Sequence, residues 1–344
     1  MTALIALDRI SRTFKTPGGV ITAVDSVSLS LESGEAICLV GESGCGKTTT
    51  GRLLAGLLRP TGGRLFYEGK DVWLTKGADL ARFRRAVQLV HQDPYASLNP
   101  TRTVFQTLSA PLYRHKKARP GRQAVAAVTE LLQRVDLTPT ENFIGKYPHQ
   151  LSGGQRQRVA IARALTVDPK VIVADEAVSM VDVSIRISLL NLLLALGREF
   201  GVTIVLITHD LAVARYFARE GRIGVMYLGR VVELADTESL VGDPAHPYSA
   251  ALIAAIPEAD PDITRSKTRV ELRSAEIPSL LRLPPGCTFH PRCPLFEAGL
   301  CDVQIPELLP IPGGKGPQSR SDEREVACHV AVRERTSERA AATA

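Results

Sequence analysis
The chain has 344 residues, 44% of them hydrophobic and 23% charged, with a formal net charge of +6, enough for one large α/β domain and a smaller one. A mean hydropathy of +0.03 and the lack of any run of about 18 apolar residues exclude a membrane-spanning helix, and Asp8 and Arg9 interrupt an N-terminus that lacks a secretory layout. The modest positive balance would suit a surface near anionic lipid and equally an ordinary solvated surface, which is the reading taken.

In chain order, Val27, Leu29 and Leu31 alternate with Ser28 and Ser30, which predicts a strand with one face on a core. Glu35 to Val40 is a short apolar strand feeding Gly41-Glu42-Ser43-Gly44-Cys45-Gly46-Lys47-Thr48, and Thr49 to Leu58 reads as the helix that follows. This is the strand–loop–helix setting of the phosphate-loop pattern G-x-x-x-x-G-K-[ST]. Leu65 to Val72, with Gly69 inside, predicts a hairpin. Residues 98–160 are mostly helical in pattern, with Ala124 to Val135 a good example, and Ser152 is placed to cap a helix running through Arg156 to Leu165. Val171 to Ala174 and Val202 to Thr208 are nearly unbroken apolar runs, as parallel strands covered on both faces should be. Between them Ile185 to Phe200 is an apolar-rich helix, and the alternation predicts a doubly wound α/β core. Beyond about Leu234 proline becomes frequent and the alternation stops. Residues 235–330 therefore read as a second, loop-rich domain, and residues 331–344 as a disordered tail.

The chemistry starts at the glycine loop. A polyphosphate needs many donors at short range, and Gly41, Gly44 and Gly46 let backbone N–H groups curl around it while the following helix adds its positive end. Lys47 is placed to bridge the β- and γ-phosphates and the Thr48 hydroxyl to ligate Mg²⁺, with Ser43, Cys45 and Thr49 completing the ATP-facing set. Asp175 and Glu176 stand at the C-terminal end of a buried strand, where ligands bind in open α/β sheets. Asp175 is then the Mg²⁺-side carboxylate, and Glu176 a general base for the attacking water.

Downstream, Leu151-Ser152-Gly153-Gly154-Gln155 offers a second anion site of one hydroxyl and glycine amides at a helix start. Together with the phosphate loop, and in this order, it resembles the ATP-binding cassette (ABC) family, a P-loop fold with an antiparallel β subdomain and a helical subdomain. The resemblance covers residues 4–330 and places the cassette at 1–234, with the helical subdomain at about 98–160. It implies that Ser152, Gly153, Gly154 and Gln155 meet the γ-phosphate held by a partner subunit, that Gln92 contacts Mg²⁺ and the membrane domain, that His209 contacts the γ-phosphate, and that Phe14 stacks on adenine. A core phenylalanine is the competing reading of Phe14. The D-loop, ending at Asp182, departs from the family at Ala177 and Val181, where proline and leucine are usual.

Met226-Tyr227-Leu228-Gly229-Arg230-Val231-Val232-Glu233, then His246-Pro247-Tyr248-Ser249, are similar to the ATPase subunits of oligopeptide and dipeptide importers, and Gln92 to Pro100 is most similar to their F-type member. The resemblance implies an ATPase at the cytoplasmic side of the cell membrane. Its implied partners are a second, non-identical D-type ATPase, two transmembrane permeases and an external substrate-binding protein, without nucleic acid. A soluble ABC ATPase acting on nucleic acid or ribosomes is the reading from another class, and nickel or oligosaccharides are the other solutes.

Four of the six cysteines, spaced Cys287-x5-Cys293-x7-Cys301-x26-Cys328, offer the ligand count of either a [4Fe–4S] cluster or structural zinc. Without a C-x2-C pair a zinc ribbon is disfavoured, and reduced, unliganded thiols are the third reading. Some peptide-importer ATPases carry a cluster here, so the resemblance favours the cluster.

Overall fold
A computed structural model describes residues 3–179, 181–256, 270–312 and 324–343. Two sheets organise them. The first strands are β1 (Ile5–Thr16), β2 (Gly19–Leu31), β3 (Ala36–Val40), β4 (Gly62–Tyr67), β5 (Lys70–Asp71) and β6 (Val87–Val90). They continue with β7 (Val171–Asp175), β8 (Thr203–Ile207), β9 (Arg222–Tyr227), β10 (Arg230–Asp236), β11 (Leu309–Pro310) and β12 (Glu325–Val326). The smaller sheet, in the order β2-β1-β4-β5, pairs antiparallel throughout. The larger, in the order β11-β12-β10-β9-β3-β8-β7-β6, is parallel from β9 to β6.

The unbroken apolar runs are explained by burial on both faces. In β3, β7 and β8, Cys38, Ile172, Ala174, Ile204 and Leu206 enter a core shared with the helices. Their sequence neighbours Ile37, Leu39, Val171, Val173, Val205 and Ile207 enter the core that the antiparallel sheet covers. Period-two alternation thus feeds two cores from one strand, so no position is left polar. In β2 the alternation of Val27, Leu29 and Leu31 with exposed serines is present, as a sheet with one solvated face requires.

Helices Val104–Arg114, Arg122–Arg134 and Gly153–Leu165 lie in and beside the stretch 98–160, and their Leu108, Val128, Leu132, Val159 and Ile161 share the first core. Helix Val183–Phe200 follows β7 and is ended by Gly201 in the left-handed region, φ 63°. No helix among the described residues is long and apolar enough to cross a membrane.

Two expectations about the C-terminal third change. The stretch 235–330 is loop-rich, but it is tied to the cassette rather than set apart. Strand β12 pairs with β10, and Phe289, Cys293 and Tyr248 sit in the main core. The segment read as a disordered tail forms a helix, His329–Thr343. Its first turn buries Val330 and Ala331 beside Ile311 and Val326, and Arg335 pairs with Asp243 at 2.6 Å. A polar composition concealed that anchor.

Candidate active site
The phosphate loop joins β3 to helix Lys47–Leu54, and its glycines are demanded by neighbours as well as by dihedral angles. At Gly46, φ is 102° and a Cβ would lie 2.2 Å from the Ala23 carbonyl oxygen of β2; at Gly41, φ is 148° and a Cβ would lie 2.1 Å from that of Met226. The helix N-cap, Gly46, carries no side-chain cap, so the first-turn amides point at open space as an anion site requires. Lys47 is buried and folds back, its Nζ donating to the carbonyls of Gly41 (2.8 Å) and Glu42 (2.9 Å). Cys45 is buried beneath the loop, whereas Ser43 and Gly44 are exposed and Thr49 half-buried.

Strand ends bring the remaining groups together. Thr48 Oγ1 donates to Asp175 Oδ1 at 2.9 Å, which joins the hydroxyl and carboxylate read as a Mg²⁺ pair. Burial pushes the Asp175 carboxyl up, while the Thr48 hydrogen bond and the Arg52 charge oppose that rise. Next to it, Glu176 accepts from Gln92 Nε2 at 2.9 Å through one oxygen and lies 3.1 Å from His209 Nδ1 through the other. Gln92, Glu176 and His209, separated by up to 117 positions (209 − 92), therefore form one hydrogen-bonded row. Glu176 has φ 47°, a left-handed conformation that aims its side chain.

Other expected residues stand apart. Ser152 caps helix Gly153–Leu165: its Oγ accepts from the Gln155 N–H at 3.3 Å, and Gln155 Oε1 accepts from the Ser152 N–H at 3.0 Å. Gly154 packs so tightly on Ile185 that a Cβ would meet it at 2.4 Å, while Ser152 is exposed. No contact described here joins this stretch to the phosphate loop of its own chain. Phe14, half-buried in β1 opposite Ile21, has the Arg12 guanidinium 4.8 Å from its ring centroid. Asp182 precedes helix Val183–Phe200 without a capping hydrogen bond. Ala177 and Val178 are buried in the main core, and Met180 lies outside the described residues.

The four C-terminal cysteines share one neighbourhood. The Cys287 N–H donates to the Cys301 carbonyl at 2.8 Å, and the thiols act on one another electrostatically. Burial pushes Cys287 up to about 11 and Cys293 up to about 12, so both are neutral thiols at physiological pH. Among the described residues no group of three or more His, Cys, Asp or Glu side chains is placed to hold a metal ion. The expected cluster site is thus a matching donor set without preformed ligand geometry, because buried thiols held protonated do not present themselves as thiolates.

One group was missed from the sequence. Arg292 reaches Glu42 of the phosphate loop with contacts of 3.1, 3.1 and 3.2 Å. Its only sequence mark is its place beside Cys293.

Comparison with known proteins follows this geometry. The ABC transporter family matches residues 24–179, and the oligopeptide/dipeptide transporter C-terminal region matches residues 232–301. The chain is similar to the probable peptide ABC transporter ATP-binding protein y4tS of Sinorhizobium fredii, with 46% identity across 92% of this chain and 85% of that one. It is likewise similar to the oligopeptide transport ATP-binding protein AppF of Bacillus subtilis, with 42% identity across 92% of each. Among solved structures it is similar to the dimeric ATP-binding cassette MJ0796 in a post-hydrolysis state bound to ADP and Pi. There the identity is 31% and the TM-score 0.61, over 68% of this chain and 98% of that one.

Proposed function
The chain belongs to the ATP-binding proteins of ABC transporters, in their oligopeptide/dipeptide branch, and from that premise we propose that it hydrolyses ATP to power peptide import across a cell membrane. The observation that carries the chemistry is the Gln92–Glu176–His209 row, placed beside the Thr48–Asp175 pair. The loop amides and the start of helix Lys47–Leu54 receive the β- and γ-phosphates. Lys47 then exchanges the Gly41 and Glu42 carbonyls for phosphate oxygens, so its charge is held in reserve until nucleotide arrives. Glu176, fixed by Gln92 on one oxygen and His209 on the other, takes the proton of the water that attacks the γ-phosphate, and ADP leaves with phosphate as the second product.

Thr48, Asp175 and Gln92 would hold Mg²⁺, which when bound neutralises charge on the phosphates. A hydroxyl, an amide and one carboxylate suit an ion that keeps most of its other positions for water and phosphate. The serine and glycines of 151–155 act on the nucleotide of a second ATPase subunit. Their exposure, and the dimeric state of the solved relative, support that reading. Phe14 is the adenine-stacking residue, and Asp182 belongs to the turn that faces the partner.

Permeases are the partners within the membrane, and the names of the relatives support this. A cleft of about 550 Å³ between helices Gly77–Ala86, Val104–Arg114 and Gly153–Leu165 supports docking there, being lined by Arg84, Arg85, Arg114, His115 and Arg163. A non-identical D-type ATPase and an external binding protein complete the assembly. For Cys287, Cys293, Cys301 and Cys328, the count, burial and shared neighbourhood support a [4Fe–4S] cluster, which when bound staples a loop-rich region. Iron and labile sulfide should then appear in anaerobically purified protein; zinc or no metal would sink that part alone.

Glu176→Gln tests the hydrolytic assignment. The amide still accepts from one neighbour but takes no proton, so ATP binding is retained and turnover falls by at least about 100-fold. Unchanged steady-state phosphate release in that variant would remove Glu176 from its role.

A further inference from the structure
Glu42 lies inside the phosphate loop, where a carboxylate is out of place. An anion beside a bound polyphosphate raises the free energy of binding unless a cation compensates it. The compensating cation comes from 250 positions away. Both Arg292 terminal nitrogens face the Glu42 carboxylate, in the forked geometry that fixes orientation as well as charge. The Arg292 side chain is 8% exposed and that of Glu42 26%. A second bond comes from the same region: the Glu42 N–H donates to the Tyr248 hydroxyl at 3.0 Å. That hydroxyl is buried among Tyr227 and Phe289, whose ring centroids lie 4.6 and 5.2 Å apart from their neighbours Tyr248 and Tyr227 respectively.

Arg292 is itself held firmly. Its N–H donates to the Phe289 carbonyl at 2.9 Å, its Nη1 donates to the Tyr227 hydroxyl at 3.4 Å, and its guanidinium lies 5.7 Å from the Phe289 ring centroid. The loop is therefore gripped at one residue from two sides, by a side chain on its carboxylate and by a phenol on its amide. Lys47 bonds the loop carbonyls as well, but it must leave them when phosphate arrives. Only the Arg292 and Tyr248 contacts can persist with nucleotide bound.

We propose that Arg292 and Tyr248, supplied by the C-terminal region, are positioning residues for ATP: they hold the phosphate loop open to polyphosphate, and Arg292 cancels the charge of Glu42. This rests on the ATP-binding reading above. It assigns the C-terminal region a part in the nucleotide site in addition to any structural role.

The test measures the dissociation constant of ATP for the full chain. Arg292→Ala should weaken binding by at least about tenfold, the size expected for loss of a hydrogen-bonded charge. In a Glu42→Gln background the same Arg292→Ala change should matter less than about twofold, because no uncompensated carboxylate is left. Arg292→Lys keeps the charge without the fork and should fall between, and Tyr248→Phe should raise the KM for ATP more than it lowers kcat. If Arg292→Ala does not fold, Arg292→Lys and Arg292→Gln are compared in the two backgrounds instead. An equal loss in both backgrounds, or no loss in the first, overturns the proposal. A parent chain that does not bind ATP overturns the function from which it starts.

Discussion
Glu176 is held in a backbone conformation that costs a non-glycine residue on the order of 1–3 kcal/mol. Its surroundings fix that conformation. The Glu176 N–H donates to the Ile207 carbonyl at 2.9 Å, and its own carbonyl accepts from the Ser179 N–H at 3.1 Å and the Ser179 hydroxyl at 2.8 Å. With the backbone bound at both ends, the carboxylate has one direction to take, and Gln92 and His209 meet it there. The loss expected in Glu176→Gln is therefore a loss of proton acceptance, not of placement. The residues with a motif around them were legible: Lys47, Thr48, Asp175 and Glu176 each follow or end an apolar strand. The row through Gln92 and His209 was legible only by resemblance, because a lone glutamine or histidine after a strand has no pattern of its own. Arg292 was illegible, since nothing in local sequence couples a residue near the C-terminus to the loop after β3.

At the scale of elements, the C-terminal helix is the clearest departure from expectation. Its apolar anchor is one turn long, at Val330 and Ala331, and the rest is charged, so periodicity had little to register. What holds it further along is Asp243, which accepts from Arg335 at 2.6 and 2.8 Å and faces Arg324 at 3.4 Å. The Arg335 hydrogen bonds, aided by the charges of Arg335 and Arg324, hold the Asp243 carboxyl below its usual range. Its folded pKa is therefore depressed, so this stabilisation is complete above the unfolded carboxylate value and is lost as pH falls through the lower, folded one. At 33% side-chain exposure the effect is screened and local rather than global. Amide exchange in 329–343 should stay slow at neutral pH and quicken in acid beyond the chemical rate change. Asp243→Asn should quicken it already at neutral pH; identical exchange in the two proteins would show that the apolar turn alone docks the helix. The strands, by contrast, were legible almost to their ends, because burial on one face or two writes directly into alternation or unbroken apolar runs.

At the scale of the whole molecule, one chain holds the catalytic row and the phosphate loop but leaves the 151–155 stretch facing away from them. Ser152 and Gln155 bond each other across the first turn of a helix, so the helix start is ordered before any nucleotide is present. A site preformed on one subunit and exposed has its use on another, and ATP then becomes the adhesive between two subunits. Blocking hydrolysis should expose this. In Glu176→Gln with ATP and Mg²⁺, light scattering should find the chain alone as a monomer, and a dimer when the second ATPase that purifies with it is added. Ser152→Arg, which places a bulky cation at an exposed helix cap, should abolish that dimer while sparing binding of ATP to the chain's own loop. An ATP-dependent dimer of this chain alone would make the partner an identical subunit. Association unaffected by ATP, or by Ser152→Arg, would instead mean that 151–155 does not close on a partner's nucleotide. The geometry favours closure, since the same residues that cap the helix leave its first amides directed outward, where only a second subunit can supply a phosphate.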